Sequence, residues 1–424
     1  MKKKALAVLG ILAAVSMTTS KPANAAVVVG GSNGWEFSTD GIVDLFSTYA
    51  STGKGPGTGH ALSLLSSGGN ESKTDDRFGM GIGLLPSVIA FNIKAPTTNG
   101  VDSAVRVGIY PALQNSDKTV GANERFNTNP NIDFREFFYT AKGSYGELLV
   151  GRALNLYQGK NILNDMTLLS AGVVPGNTFH SNTTLGHIGY GYLYTNFGPQ
   201  FRYTTPDFSG AKVAVSIGEP YKISDVSAKR NTPRMEAEVS YAKTYDGTAV
   251  QAWLSGLYQS DTRSDTVGYV GKRGDKNTSA GAAYGVTAAL KNGLSLMASG
   301  YNGSGLGTVS VQDGDFLGST STDAVGEERT HWGFLVQATY KITPTIVAGI
   351  NYGQTRQEKT DFDKTNPVGV EIPIKNQEAT TTSVTYAFNS FTKFTAEYTW
   401  AQNTWHDDKA QRSNQFALGS TFFW

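Results

Sequence analysis

The sequence predicts an all-β protein, a 16-stranded antiparallel barrel that crosses a membrane with its strands. Three observations carry the prediction. The chain ends on a strand in which Phe416, Leu418, Phe422 and Trp424 share one face, and nothing follows that could fold back to cover it. Alternating segments of the same kind recur along the chain, joined by short turns and long polar loops in alternation. An export-type segment opens the chain, and no other stretch is apolar enough to cross a bilayer as a helix.

The export segment comes first. Lys2, Lys3 and Lys4 precede an apolar run from Ala5 to about Met17, and Lys21-Pro22 lead into the small-residue site Ala23-Asn24-Ala25. About 13 apolar residues fall short of the ~20 that a membrane-spanning helix needs. Residues 1–25 are therefore expected to be a cleaved signal peptide and 26–424 a single barrel domain. Cleavage removes four lysines and no acid, so the formal charge goes from +1 to −3. The chain has no cysteine, and an exported fold without disulfides draws its stability from packing or from a closed hydrogen-bonded sheet. A mean hydropathy of −0.26 suits a barrel with a wet interior, because lipid-facing and lumen-facing residues alternate along each strand.

Strand 1 runs from about Trp35 to Tyr49. Trp35, Phe37, Gly41, Val43, Leu45 and Tyr49 form its lipid parity, while Glu36, Ser38, Asp40 and Asp44 form its water parity; Ile42 and Phe46 break the rule. After a polar, Gly-rich stretch, strand 2 carries Phe78, Met80, Ile82 and Leu84, turns at Thr97-Thr98-Asn99-Gly100, and returns through Val101, Val105, Val107 and Ile109. Further short turns are expected near 143–146, 206–210, 245–247, 291–293, 343–345 and 389–391. Long loops are expected at about 51–76, 112–130, 155–190, 221–233, 260–278, 303–328, 356–378 and 402–412. Such asymmetry between rims is the habit of outer-membrane barrels. Val368, Val370, Ile372 and Ile374, with Val309 and Val311, would raise the count to 18 if they were strands; Pro373 argues that the first group is a loop hairpin.

A Lys or Arg on the lipid face at the bilayer midplane costs ~2–4 kcal/mol, so charges should fall on the lumen parity. Arg234, Glu236 and Glu238 obey, opposed by Met235, Ala237 and Val239. Lys393, Thr395 and Glu397 oppose Phe394, Ala396, Tyr398 and Trp400 in the same way. Trp35, Trp332, Trp400 and Trp424 are candidates for interfacial girdles.

Four segments, with the C-terminal strand, resemble the general porins of Gram-negative outer membranes. Asp40-Gly41-Ile42-Val43-Asp44-Leu45 is similar to the family's first strand and Asp76-Arg77-Phe78-Gly79-Met80-Gly81 to its second. Tyr145-Gly146-Glu147-Leu148-Leu149-Val150-Gly151-Arg152 is similar to the strand leading into its inward-folded third loop, and Arg202 to Gly210 to one of its turns. The resemblance implies a homotrimer of 16-stranded barrels, each with a water-filled pore that the third loop narrows against wall arginines. It carries Arg77 and Arg152 over as constriction residues. In the loop, here about Asn155 to Gly186, Asp165 is the one acid and faces those arginines, with Lys160 opposing it. Arg106 and Arg202 are further lumen charges. Phe416, Leu418, Phe422 and Trp424 look like the signal read by the barrel-assembly machinery. Lipopolysaccharide and outer-membrane lipid are the expected surroundings, small hydrophilic solutes and ions the cargo. With a single acid in the loop, mild anion preference or weak selectivity is expected.

Other chemistry has little footing. His60, His180, His187, His331 and His406 lack metal-ligand spacing, so no metal or other cofactor is expected, and nothing suggests a nucleic-acid partner. His180-Ser181-Asn182 and His406-Asp407-Asp408 could be cast as an enzyme's rim site, but such groupings are common in polar loops, and no enzyme is expected. Gly53 to Gly59 lacks the ending of a phosphate loop, and Asp313-Gly314-Asp315 falls short of a calcium site. Beside the general diffusion porin stand a substrate-selective channel of 16 or 18 strands for an anion or a sugar, and an exported β-sandwich or adhesin without a pore.

Overall fold

The computed structural model describes residues 26–66, 74–111, 113, 132–176, 183–224, 227–230, 232–263, 275–312, 320–365 and 368–424. Its strands are β1 (Val27–Gly30), β2 (Glu36–Thr52), β3 (Asp75–Gly81), β4 (Val88–Lys94), β5 (Asp102–Pro111), β6 (Ile132–Gly143), β7 (Gly146–Leu154), β8 (Phe197–Thr204), β9 (Ala211–Gly218), β10 (Ser227–Lys229), β11 (Arg234–Tyr245), β12 (Thr248–Arg263), β13 (Lys276–Ala289), β14 (Leu294–Ser304), β15 (Thr330–Lys341), β16 (Ile346–Gln357), β17 (Ile374–Ala387), β18 (Thr392–Trp405) and β19 (Ala410–Phe423). The helices are short, α1 (Gly159–Leu163) and α2 (Asp361–Lys364).

One antiparallel sheet holds every strand and closes where β19 pairs with β2, from Ser413↔Thr52 to Phe423↔Ile42. The barrel has 16 staves. β3 lies along one half of β2 (Thr52↔Asp75 to Phe46↔Gly81) and β4 along the other (Ile42↔Val88 to Glu36↔Lys94), so the two make one interrupted stave. β1 and β10 are short additions at the edges of β2 and β12. Closure leaves no long edge with unpaired peptide groups, which a bilayer requires.

The alternation behaves as the chemistry demands. On β19 the outward Phe416, Leu418 and Phe422 are exposed, while the inward Gln411, Ser413, Gln415 and Thr421 are buried within the bore. All seven expected turns join neighbouring strands. Asn99-Gly100 and Asp246-Gly247 both carry paired positive φ, the tight-turn geometry that favours these residue types.

Two expectations are corrected. Ile82 and Leu84 do not face lipid; at 2% and 6% exposure they lie inside, because the stave leaves the ladder between Gly81 and Val88, where Pro86 has no amide to donate. Asp44 holds this detour, accepting from the Gly83 amide at 2.6 Å and the Ser87 hydroxyl at 2.8 Å. The eighth long loop is only a tight link from His406 to Lys409, since β18 and β19 continue as a polar-faced hairpin. The count of 16 stands without the extra runs: Val309 and Val311 are buried inside, Val368 is fully exposed, and Ile374 is simply the first residue of β17.

Candidate functional site

The bore contains a belt, described over residues 155–176 and 183–196, which follows the inner wall strand by strand. Asn161 accepts from the Trp253 indole at 2.9 Å on β12 and donates to the Gly300 carbonyl at 3.3 Å on β14. Two glutamines, Gln337 on β15 and Gln415 on β19, each grip the belt's main chain in both directions. Gln337 accepts from the Met166 amide at 2.9 Å and donates to the Asn164 carbonyl at 2.8 Å; Gln415 does the same at Val174, at 2.7 and 2.9 Å. A primary amide suits this, having a donor and an acceptor side by side like a neighbouring strand. The returning half docks Tyr190 on Asn403 at 3.0 Å and Gly189 on Gln377 at 2.8 Å.

Between belt and wall lies an apolar core that includes Ile42, Leu84, Val88, Leu168, Leu185 and Ile188. This accounts for Ile42 and Phe46 on an otherwise polar parity: Ile42 belongs to that core, and Phe46 packs with Ala171 of the belt and Ala417. The inner face of these staves meets protein, so greasy residues there are buried.

Arg77, Arg106, Arg202, Arg234, Glu236 and Glu238 all fall on the inward parity. Arg77 is paired in register with the buried Ala50 and donates to the Pro175 carbonyl of the belt. Arg106 is neutralised in place, meeting Asp40 at 2.8 Å and Glu136 at 2.9 Å, with Asn92 at 3.0 Å. Arg202 donates to Gln200 at 3.0 Å and to the Leu154 carbonyl, where the belt begins. Arg234 bonds Glu236 at 2.7 Å, and the other oxygen of Glu236 takes the Leu156 amide at 2.7 Å, so the first turn of the belt is fixed on β11.

Arg152 and Asp165 are the other residues expected at the constriction. Arg152 is paired in register with Phe137 and Pro199, both exposed on the outside, whereas Leu149 and Ala153 carry the inner face of β7. Residues directly opposite in an antiparallel ladder share a face, so by register Arg152 takes the outward parity near the long-loop rim, where its charge still acts on Tyr194 of the belt and on Tyr221. Asp165 is 4% exposed and serves its own loop, accepting from Tyr192 at 2.6 Å, the Thr167 amide at 2.9 Å and the His187 amide at 3.2 Å. Lys160 does not oppose it, but lies 3.5 Å from Glu238 on β11.

The residue the sequence did not single out as an anchor is Glu397 on β18. Its oxygens accept from the Ser170 hydroxyl at 2.5 Å and from the Ala171 and Gly172 amides at 2.9 and 3.0 Å. Its place on the inward parity was visible; its partners, more than two hundred residues away in sequence, were not.

At the long-loop rim, Arg329 forms a two-pronged pair with Asp363 of α2, at 2.7 and 2.8 Å, and Thr360 donates to Asp323 at 2.6 Å. His60 meets Asp407 at 2.9 Å, Asp408 meets Lys375 at 2.6 Å, and His406 bonds the Gln357 carbonyl at 3.0 Å. These three neighbours in sequence thus serve separate cross-loop contacts. Among the described residues no group of three or more His, Cys, Asp or Glu could hold a metal. His180-Ser181-Asn182, Asp313-Gly314-Asp315 and the export segment lie outside the described residues.

Residues 12–404 match the family described as Gram-negative porin. No curated protein matches the chain in sequence. Solved structures match in fold. The outer membrane channel DcaP of Acinetobacter baumannii aligns at TM-score 0.67 and 16% identity, over 94% of this chain and 100% of its own. The anion-selective porin from Comamonas acidovorans aligns at 0.59 and 13%, over 92% and 100%. OmpT of Vibrio cholerae, in its trimer form, aligns at 0.51 and 14%, over 92% and 100%.

Proposed function

The chain belongs to the Gram-negative porin family, and on that premise we propose that it is a general diffusion porin with weak selectivity and a mild preference for anions. It is an outer-membrane channel, and passage through it is passive. The observation that carries the finer reading is the inner face: Arg77 and Arg202 stand on it, while the belt's one acid is consumed by donors of its own loop. Wall cations without an opposing loop acid tilt the local potential toward anions.

The rest of the proposal concerns assembly. Residues 1–25 are removed during export, and the barrel-assembly machinery reads the strand that carries Phe416, Leu418, Phe422 and Trp424. Lipopolysaccharide surrounds the long-loop rim, and three copies associate, as in the trimer form of the Vibrio protein. The channel is not an enzyme. A second reading, a substrate-selective channel for an anion or a sugar, is favoured by the apolar core, which fills part of the bore and narrows what is left.

Reconstitution in a planar bilayer under a salt gradient tests the proposal. Conductance steps in groups of three with a reversal potential on the anion side are expected. Saturable block by one solute would favour the substrate-selective reading, and a silent membrane would overturn both.

A further inference from the structure

The belt's exposed edge carries one charge, and it is positive. In α1, Gly159, Asn161 and Ile162 are buried, whereas the Lys160 side chain keeps 25% of its exposure. From the last residue of α1 to residue 176 the part-exposed positions are Leu163, Asn164, Met166 and Leu169, and Asp165 is turned into the belt's own hydrogen bonds. Among the described residues of the belt, the only acidic or basic side chains are Lys160, Asp165 and the fully buried His187, which leaves Lys160 to set the sign of that edge.

The wall opposite supplies the acid. Glu236 is committed to Arg234 and the Leu156 amide, but the next inward residue, Glu238, lies 3.5 Å from Lys160. That is longer than the ~2.7–2.9 Å of a tight charge-assisted hydrogen bond, and one partner is part-exposed, so the two can separate without breaking the anchors that hold the belt. Arg202 is on the same inner face, two staves away.

We propose that Lys160 and Glu238 form the specificity-determining charge pair of the constriction, with the loop contributing the cation and the wall the anion. This polarity is the reverse of the acidic loop facing basic wall implied by the sequence motifs. The inference rests on the channel reading above and adds to it the residues that hold selectivity weak: while paired, each charge screens the other from a permeating ion. Removing one exposes its partner to the passage, so the two single substitutions must act with opposite sign.

Purified full-length protein, wild type and variant, is reconstituted in planar bilayers under a potassium chloride gradient, with folding confirmed by far-UV circular dichroism. Glu238→Gln should move the reversal potential toward chloride, and Lys160→Met toward potassium. The exchanged pair, Lys160→Glu with Glu238→Lys, should return toward wild type. Single substitutions that conduct normally with an unmoved reversal potential, or that shift it in the same direction, overturn the inference while leaving the channel intact. A wild type that does not conduct overturns the channel reading instead.

Discussion

Glu397 holds Ser170 by a 2.5 Å hydrogen bond from the serine hydroxyl, and the same carboxylate takes the two amides that follow, of Ala171 and Gly172. A wall residue thereby clamps the middle of the belt with a group that only accepts. A hydroxyl and two main-chain donors converging on one buried carboxylate make this the densest attachment of the belt, complemented by Gln337 and Gln415 on either side.

Glu397→Ala should free that segment while the barrel stays closed. Each buried donor left without an acceptor costs about 1–3 kcal/mol, enough to lift the belt from β18 locally. Single-channel records should show larger and noisier conductance than wild type, with Glu397→Gln in between because it retains one acceptor. Quiet wild-type conductance in Glu397→Ala would mean that the clamp does not hold the belt.

Arg77 and Arg152 should separate in their effects. Arg77→Ser removes an inward cation in contact with the belt and should shift the reversal potential toward cations. Arg152→Ser, on the outward parity, should leave it close to wild type. Equal shifts from the two would contradict the register of β7.

The outer face can be probed at Leu418, which is 64% exposed on β19. Leu418→Arg should lower the stability of the barrel refolded into vesicles by ~2–4 kcal/mol, the cost of a cation facing acyl chains. Thr385→Lys, on the inward parity of β17, should fall well short of that.

Acid should release the long-loop rim at Asp363. Burial pushes this carboxyl up, but the Arg329 guanidinium and the hydrogen bonds at Thr360 outweigh it and leave it below the ordinary carboxylate range. A depressed pKa contributes stability that is full above the unfolded value of about 4 and is lost as pH falls through the lower folded value. Protection factors against hydrogen–deuterium exchange for residues 320–330 and 358–365, which remove the pH dependence of the intrinsic rate, should be unchanged from pH 8 to pH 5 and fall at pH below the normal carboxylate range. In Arg329→Met protection should be lowered throughout, with little further change in acid.

The period of two, the turn residues and the apolar last strand determined the barrel, its stave count and the side each stave shows to lipid. These are local properties, because a strand's two faces are written in its own odd and even positions and a turn in its own few residues. Where a strand carries apolar residues in succession, as Leu148, Leu149 and Val150 do ahead of Arg152, the parity cannot be read, and only the ladder with Phe137 resolves it. The extent of β18 and β19 was similarly hidden, since a polar hairpin standing above the membrane reads like a loop.

The constriction was decided by tertiary structure. Whether Asp165 meets an arginine or Tyr192, whether Lys160 meets Asp165 or Glu238, and why Ile42 and Phe46 are apolar on a wet parity all depend on where the belt lies against the wall. Charge and hydropathy along the chain give each residue's preferences, but its partner is chosen by the folding of one long loop into a closed bore, which brings together groups far apart in sequence and leaves no local pattern to announce them.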